Sequence, residues 1–66
     1  MAKNVAMRLA RKSKDYTQQS LGEMIGLSEL EVSKIECGRS SPTYGLACRI
    51  AEALGTDIKT LFPEFN

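Results

Sequence analysis

The 66-residue sequence predicts an all-α protein, a compact five-helix bundle formed by one domain over residues 1–66. Apolar residues recur at spacings of three and four, and no segment shows the sustained alternation that is typical of a strand. Glycines, prolines and helix-capping residues divide the chain into short segments. An apolar content of 42% is ordinary for a folded domain and too high for a disordered chain.

The first helix is expected from about Lys3 to Lys14, and Asp15-Tyr16 connects it to the second. Its inner side is predicted to carry Val5 and Leu9, with Met7 or Ala6 as further candidates.

The second helix is predicted to begin after Thr17, which is a good N-cap. Leu21, Met24 and Ile25 fall on one stripe and are expected to face the core. Gly26 follows at the position where a left-handed residue closes a helix, a conformation that glycine adopts without steric cost.

The third helix is predicted to open at Ser28 and to end near Cys37-Gly38. Ser28 and Glu31 have the spacing of a capping box, which favours a local role for Glu31 over a contact with another molecule. The inner residues are expected to be Val32, Ile35 and Cys37. The outward residues are expected to be Glu29, Leu30, Ser33 and Lys34.

Two more helices complete the bundle. Pro42 suits a first helical turn, and Thr43 or Ser41 can cap the fourth helix. Its predicted inner residues are Tyr44, Ala47, Ile50, Ala51 and Leu54, and Gly55 ends it. Asp57 is expected to cap a short fifth helix, after which Leu61-Phe62 close the core.

Residues 17–38 therefore read as two short helices joined by a glycine turn, the layout of a helix-turn-helix whose second helix enters the DNA major groove. In that setting Glu29 can accept from cytosine, Leu30 can touch a thymine methyl, and Lys34 can donate to guanine or phosphate. Two of these residues have an alternative role. Glu29 also suits the positive end of a helix, and an exposed Leu30 also suits a protein partner.

The sequence resembles the lambdoid repressor and Cro type of helix-turn-helix, also called the xenobiotic-response-element family of bacterial and phage regulators. The resemblance extends from about Arg8 to Pro63. The matching elements are Arg11, Thr17-Gln18, Leu21, Gly26-Leu27-Ser28, Ser33, Ile35-Glu36, Gly38, Pro42, Ile50-Ala51, Leu54-Gly55 and Leu61-Phe62. It implies a transcriptional regulator that usually acts as a homodimer and binds double-stranded DNA at a partly palindromic operator.

The resemblance also implies roles for individual residues. The base-reading positions are Glu29, Leu30, Ser33 and Lys34. The positions facing the DNA backbone are Gln18, Ser28, Arg39, Ser40, Ser41 and Thr43. Arg11 and Glu36 resemble a structural ion pair that links the first helix to the end of the third.

Charge is unevenly distributed along the chain, although the net charge is only +1. Residues 1–14 carry five basic side chains and no acidic one, whereas residues 15–66 carry four basic and eight acidic side chains. One end of the molecule could therefore face phosphates, and a merely solvated basic helix is the alternative.

Other classes of function are less favoured. We expect no enzyme activity, cofactor or metal, because the chain lacks histidine, a nucleophile elbow and a phosphate-binding glycine loop. It also lacks a secretory signal or a membrane-spanning apolar run, so a cytoplasmic location with reduced Cys37 and Cys48 is expected. Two alternatives stay open: an antitoxin or other protein-interaction module on the same fold, and a redox sensor that uses Cys37.

Overall fold

The computed structural model describes residues 3–65, and this part of the chain consists of five helices joined by short connections. The helices are α1 (Val5–Ser13), α2 (Gln18–Ile25), α3 (Glu29–Glu36), α4 (Tyr44–Ala53) and α5 (Ile58–Leu61). The predicted all-α class with five helices is confirmed. The first helix starts two residues later than expected, because Asn4 caps it. No helix within residues 3–65 is long and apolar enough to cross a membrane.

Each helix begins after a polar side chain that accepts a hydrogen bond from a backbone N–H of the first turn. These N-cap residues are Asn4, Thr17, Ser28, Thr43 and Asp57. The caps predicted at Thr17, Ser28 and Asp57 are confirmed. Thr43 rather than Ser41 caps α4, and Pro42 precedes that cap instead of lying in the first turn.

Asn4 also connects three elements. Its side-chain oxygen accepts from the Met7 N–H at 3.0 Å, while its amide nitrogen donates to the Leu61 carbonyl at 2.8 Å. Its backbone N–H donates to the carbonyl of Glu36 at 2.8 Å. The side chain and the backbone of one residue therefore fix the start of α1 against the ends of α5 and α3, respectively.

The core lies where the inner sides of all five helices meet. α2 packs against α3 and α4, α1 packs against α3 and α5, and α4 packs against α5. The buried apolar side chains are Met7, Leu21, Ile25, Val32, Ile35, Ala47, Ile50, Ala51, Leu54, Leu61 and Phe62. The prediction that Leu61-Phe62 close the core is confirmed.

Five residues that were expected to be buried are exposed, and those predictions are wrong. They are Val5, Leu9, Met24, Cys37 and Tyr44. In α1 the buried line passes through Met7 and Arg11, so that Val5 and Leu9 face outward.

The other three exposed residues lie at the edges of helices or of buried stripes. Met24 lies beside the buried line of α2, which passes through Leu21, Gly22 and Ile25. Cys37 is the C-cap of α3, and its side chain is exposed. Tyr44 is the first residue of α4, and its ring packs against that of Phe65 in a T-shaped arrangement with centroids 5.8 Å apart.

Candidate nucleic-acid interface

A tight turn fixes α3 against α2. Gly26 closes α2 with φ +80°, as predicted, and the Leu27 N–H donates to the Gly22 carbonyl at 2.8 Å. The turn backbone lies so close to α2 that a Cβ on Gly22 would come within 2.5 Å of the Leu27 carbonyl oxygen. Glycine at this position lets the two helices approach closely, which sets the direction in which α3 presents its side chains.

The two faces of α3 differ sharply in burial. Val32, Ile35 and Glu36 are at most 5% exposed. Glu29, Leu30 and Lys34 are exposed, Leu30 at 63%, and Ser33 lies half-buried at the border. The four residues predicted to read bases therefore share the side of α3 that the rest of the described chain leaves open.

The N-terminus of α3 is held by the predicted capping box, which is confirmed. The Ser28 hydroxyl oxygen accepts from the Glu31 N–H at 3.1 Å, and the Glu31 carboxylate accepts from the Ser28 N–H at 2.9 Å. These hydrogen bonds, and then the charge of Lys34, hold the pKa of Glu31 below its ordinary value. Glu31 is therefore a charged capping residue at neutral pH.

A buried polar cluster lies behind the C-terminal half of α3. Arg11 donates from Nε to Glu36 Oε2 at 2.6 Å and from Nη2 to Glu36 Oε1 at 3.3 Å. Its Nη1 donates to the Tyr16 carbonyl at 2.8 Å. This arrangement links α1, the connection to α2 and the end of α3, so both charges are buried with their hydrogen-bonding partners supplied.

Gln18, the first residue of α2, belongs to the same cluster. Its side-chain nitrogen donates to Glu36 Oε1 at 3.2 Å. A carboxylate only accepts hydrogen bonds, so the amide nitrogen rather than the amide oxygen must face Glu36. That nitrogen carries two hydrogens, and the half-buried side chain keeps the second one for another acceptor.

The connection between α3 and α4 carries the remaining predicted backbone-facing residues, and all of them are exposed. They are Arg39, Ser40, Ser41 and Thr43. The N–H groups of Arg39 and Ser40 donate to the Lys34 carbonyl at 2.9 and 3.3 Å, which anchors the connection to the end of α3. The Thr43 hydroxyl oxygen accepts from the Leu46 N–H at 3.3 Å and thereby caps α4.

The structure also reveals a feature that was not assigned from the sequence. A groove of about 350 Å³ lies on the surface where α1, the start of α2 and the end of α3 meet. Its lining includes Lys3, Arg8 and Lys12. The available signal was the excess of basic residues in the first 14 positions. Periodicity alone could not show that these side chains share a groove with Gln18.

The close α2–turn–α3 unit and the open side of α3 define a helix-turn-helix domain, a class of DNA-binding protein. The sequence profile of the helix-turn-helix family matches residues 7–61. The chain belongs to this family, in its Cro/C1-type branch, and is a DNA-binding transcriptional regulator.

Similar proteins agree with this assignment. An uncharacterized helix-turn-helix-type transcriptional regulator from Methanothermobacter thermautotrophicus is 41% identical over 51 residues, which cover 77% of this chain and 74% of that protein. The P22 c2 repressor, solved in complex with a synthetic operator, superposes with a TM-score of 0.79 and 27% identity over 83% of each chain. The restriction-modification controller protein C.AhdI from Aeromonas hydrophila superposes with a TM-score of 0.81 and 25% identity over 89% of each chain.

Proposed function

We propose that this regulator binds double-stranded DNA sequence-specifically and that α3 lies in the major groove. The observation that carries this proposal is the contrast in burial across α3, whose outer side is open while its inner side packs into the core. An α-helix fits the major groove, where each base pair presents a distinct pattern of donors and acceptors. The P22 c2 repressor, which has a similar fold, was solved on operator DNA.

Four outer side chains would supply direct base contacts. Glu29 can accept from the amino group of cytosine, and Leu30 can pack on the methyl group of thymine. Ser33 can donate to or accept from either kind of base, and Lys34 can donate to guanine. Leu30 is the one apolar side chain among these four, and it is exposed. A bound partner such as DNA would cover it.

A second group of residues would hold the DNA backbone and set the register. This group comprises Gln18, Ser28, Arg39, Ser40, Ser41 and Thr43. Gln18 would use the second hydrogen of its amide nitrogen, since the first is donated to Glu36. Ser28 and Thr43 already cap α3 and α4, so they would bring a phosphate to the partly positive ends of those helices.

The regulator is proposed to act as a homodimer on a partly palindromic operator. A single eight-residue α3 reaches only about three or four base pairs, which is too few to define a site in a genome. Two copies related by a two-fold axis would place their α3 helices in successive major grooves, roughly 34–36 Å apart. Such a dimer would block polymerase at a promoter or recruit it.

Selection of binding sites from random duplexes at moderate salt tests the proposal. We expect enrichment of two related half-sites whose centres are about 10–10.5 base pairs apart. Affinity for the selected site should fall steeply as salt is raised, because cations bound to the DNA are released. The proposal is overturned if no sequence is enriched, or if the affinity does not depend on salt.

A further inference from the structure

Basic side chains of the N-terminal segment line the groove between α1, the start of α2 and the end of α3, which we call the basic groove. The residues that line the basic groove are Lys3, Asn4, Val5, Arg8, Arg11, Lys12, Gln18, Glu36 and Cys37. The carboxylate of Glu36 in this lining is neutralised by Arg11 at 2.6 Å. The exposed side chains of Lys3, Arg8 and Lys12 therefore determine the charge of the groove, which is strongly positive.

The outer side of α3, in contrast, is poorly suited to attract DNA by charge. It carries two carboxylates, Glu29 and Glu31, and the ammonium group of Lys34. Glu31 is kept charged by its cap with Ser28. Because this surface carries more negative than positive groups, it gains no electrostatic attraction to the phosphates of DNA. The attraction that brings a polyanion to α3 must therefore come from neighbouring elements.

The basic groove is close enough to supply it. Gln18 and Cys37 line the groove, and Cys37 directly follows the end of α3. Leu30 and Cys37 are seven positions apart in the sequence, which corresponds to about 10 Å along a helix axis. Gln18, which is proposed to hold the DNA backbone, is itself part of the groove lining, so a phosphate bound at Gln18 would lie beside the basic groove.

We infer that the basic groove is a phosphate-binding surface in which Arg8 and Lys12, together with Lys3, hold the DNA backbone next to the half-site that α3 reads. This inference rests on the proposed function, because it assumes that α3 docks on DNA. It assigns α1 a direct part in binding, in addition to its part in the core. The groove supplies affinity that does not depend on base sequence, while α3 supplies discrimination.

The test compares two double variants that remove the same charges. Arg8→Ala/Lys12→Ala removes two cations from the basic groove, and Arg49→Ala/Lys59→Ala removes one arginine and one lysine from α4 and α5. Arg49 and Lys59 are exposed and lie outside the lining of the groove. Alanine suits a helix, so circular dichroism should show unchanged helical content for both variants.

The measured quantity is the dependence of the affinity for the selected duplex on salt concentration. Loss of two phosphate contacts should reduce the slope of log affinity against log salt by about 1.8 in the Arg8→Ala/Lys12→Ala variant. The Arg49→Ala/Lys59→Ala variant should retain the wild-type slope. Uncharged methylphosphonate linkages flanking the half-site should lower the affinity of the wild type for the duplex. They should not further lower the affinity of the Arg8→Ala/Lys12→Ala variant, which is the groove variant.

The outcomes separate this inference from the proposed function. If the wild type binds a selected duplex but the two double variants have equal slopes, the basic groove does not hold DNA and the inference is overturned. Equal sensitivity of the wild type and the groove variant to the methylphosphonate linkages would overturn it as well. If the wild type binds no duplex, the proposed function itself fails.

Discussion

The two faces of α3 have the same eight residues of backbone but opposite surroundings. The inner face, Val32, Ile35 and Glu36, is buried against α1 and α2, and its one charge is matched by Arg11. The outer face, with Glu29, Leu30 and Lys34, has solvent in place of such partners in the described chain. Substitutions on the inner face should therefore change the free energy of unfolding, and substitutions on the outer face should change DNA binding.

The largest expected difference in stability is between two glutamate-to-glutamine substitutions, one on each face of α3. Glu36→Gln leaves the guanidinium of Arg11 buried without its counter-charge, which costs about 3–5 kcal/mol of unfolding free energy. Glu29→Gln removes an exposed charge at the start of α3, where the helix dipole contributes only about 0.3–1 kcal/mol. Urea unfolding followed by circular dichroism measures both. Equal losses would show that the two faces do not differ as described.

Aliphatic truncation provides a second matched pair. Ile35→Ala removes buried methyl and methylene groups and should cost about 2–5 kcal/mol, because a cavity is left in the core. Leu30→Ala truncates a side chain that is 63% exposed and should change stability by less than about 0.5 kcal/mol. Thermal unfolding checks the order, and a larger loss for Leu30→Ala would mean that an unseen contact covers Leu30.

Gln18, on α2, is related to both faces of α3. Its side chain contacts the buried Glu36 of the inner face, and it is proposed to contact phosphate beside the outer face. Gln18→Ala should weaken binding to selected and unrelated duplexes by a similar factor, because the lost contact carries no sequence information. Fluorescence anisotropy with both duplexes measures the two affinities. A loss confined to the selected duplex would indicate instead that Gln18 reads or positions a base contact.

The smallest expected effect concerns pH and the cap of α3. The pKa of Glu31 is lowered from its ordinary value of 4.5 by the hydrogen bonds from Ser28. A carboxylate with a lowered folded-state pKa stabilises the protein above that ordinary value, and the contribution is lost as the pH falls through the folded-state pKa. As the pH falls below 4.5 and through the folded-state pKa, Glu31→Gln should therefore lose less stability than the wild type in urea unfolding. An unchanged pH dependence would argue against the capping box in solution.

Local signals account for most of what the sequence could predict. The caps at Thr17, Ser28 and Asp57 and the closing turn at Gly26 depend on residues three or four positions apart, and the structure confirms them. The resemblance brought Arg11 and Glu36 together, although 25 positions separate them. The candidate reading residues also followed from a local pattern, since the apolar spacing of Val32 and Ile35 leaves Glu29 and Leu30 on the outer side of α3.

What the sequence could not predict depends on contacts between helices. Val5 and Leu9 are apolar at helical spacing, yet the inner line of α1 is occupied by Met7 and the buried Arg11. A buried arginine is invisible to a pattern of apolar residues, so the stripe was placed on the wrong side. The basic groove was missed for a related reason, because it forms only when α1 packs beside Gln18 and the end of α3.

The most direct test of the outer face is the base discrimination of Leu30→Ala. Its affinity would be measured, beside that of the wild type, on every single-base variant of the selected site. We predict that preference is lost at one base position in each half-site, by roughly 1–3 kcal/mol, and is kept at the others. A uniform loss at all positions, or unchanged discrimination at every position, would contradict the claim that the outer face of α3 reads the sequence.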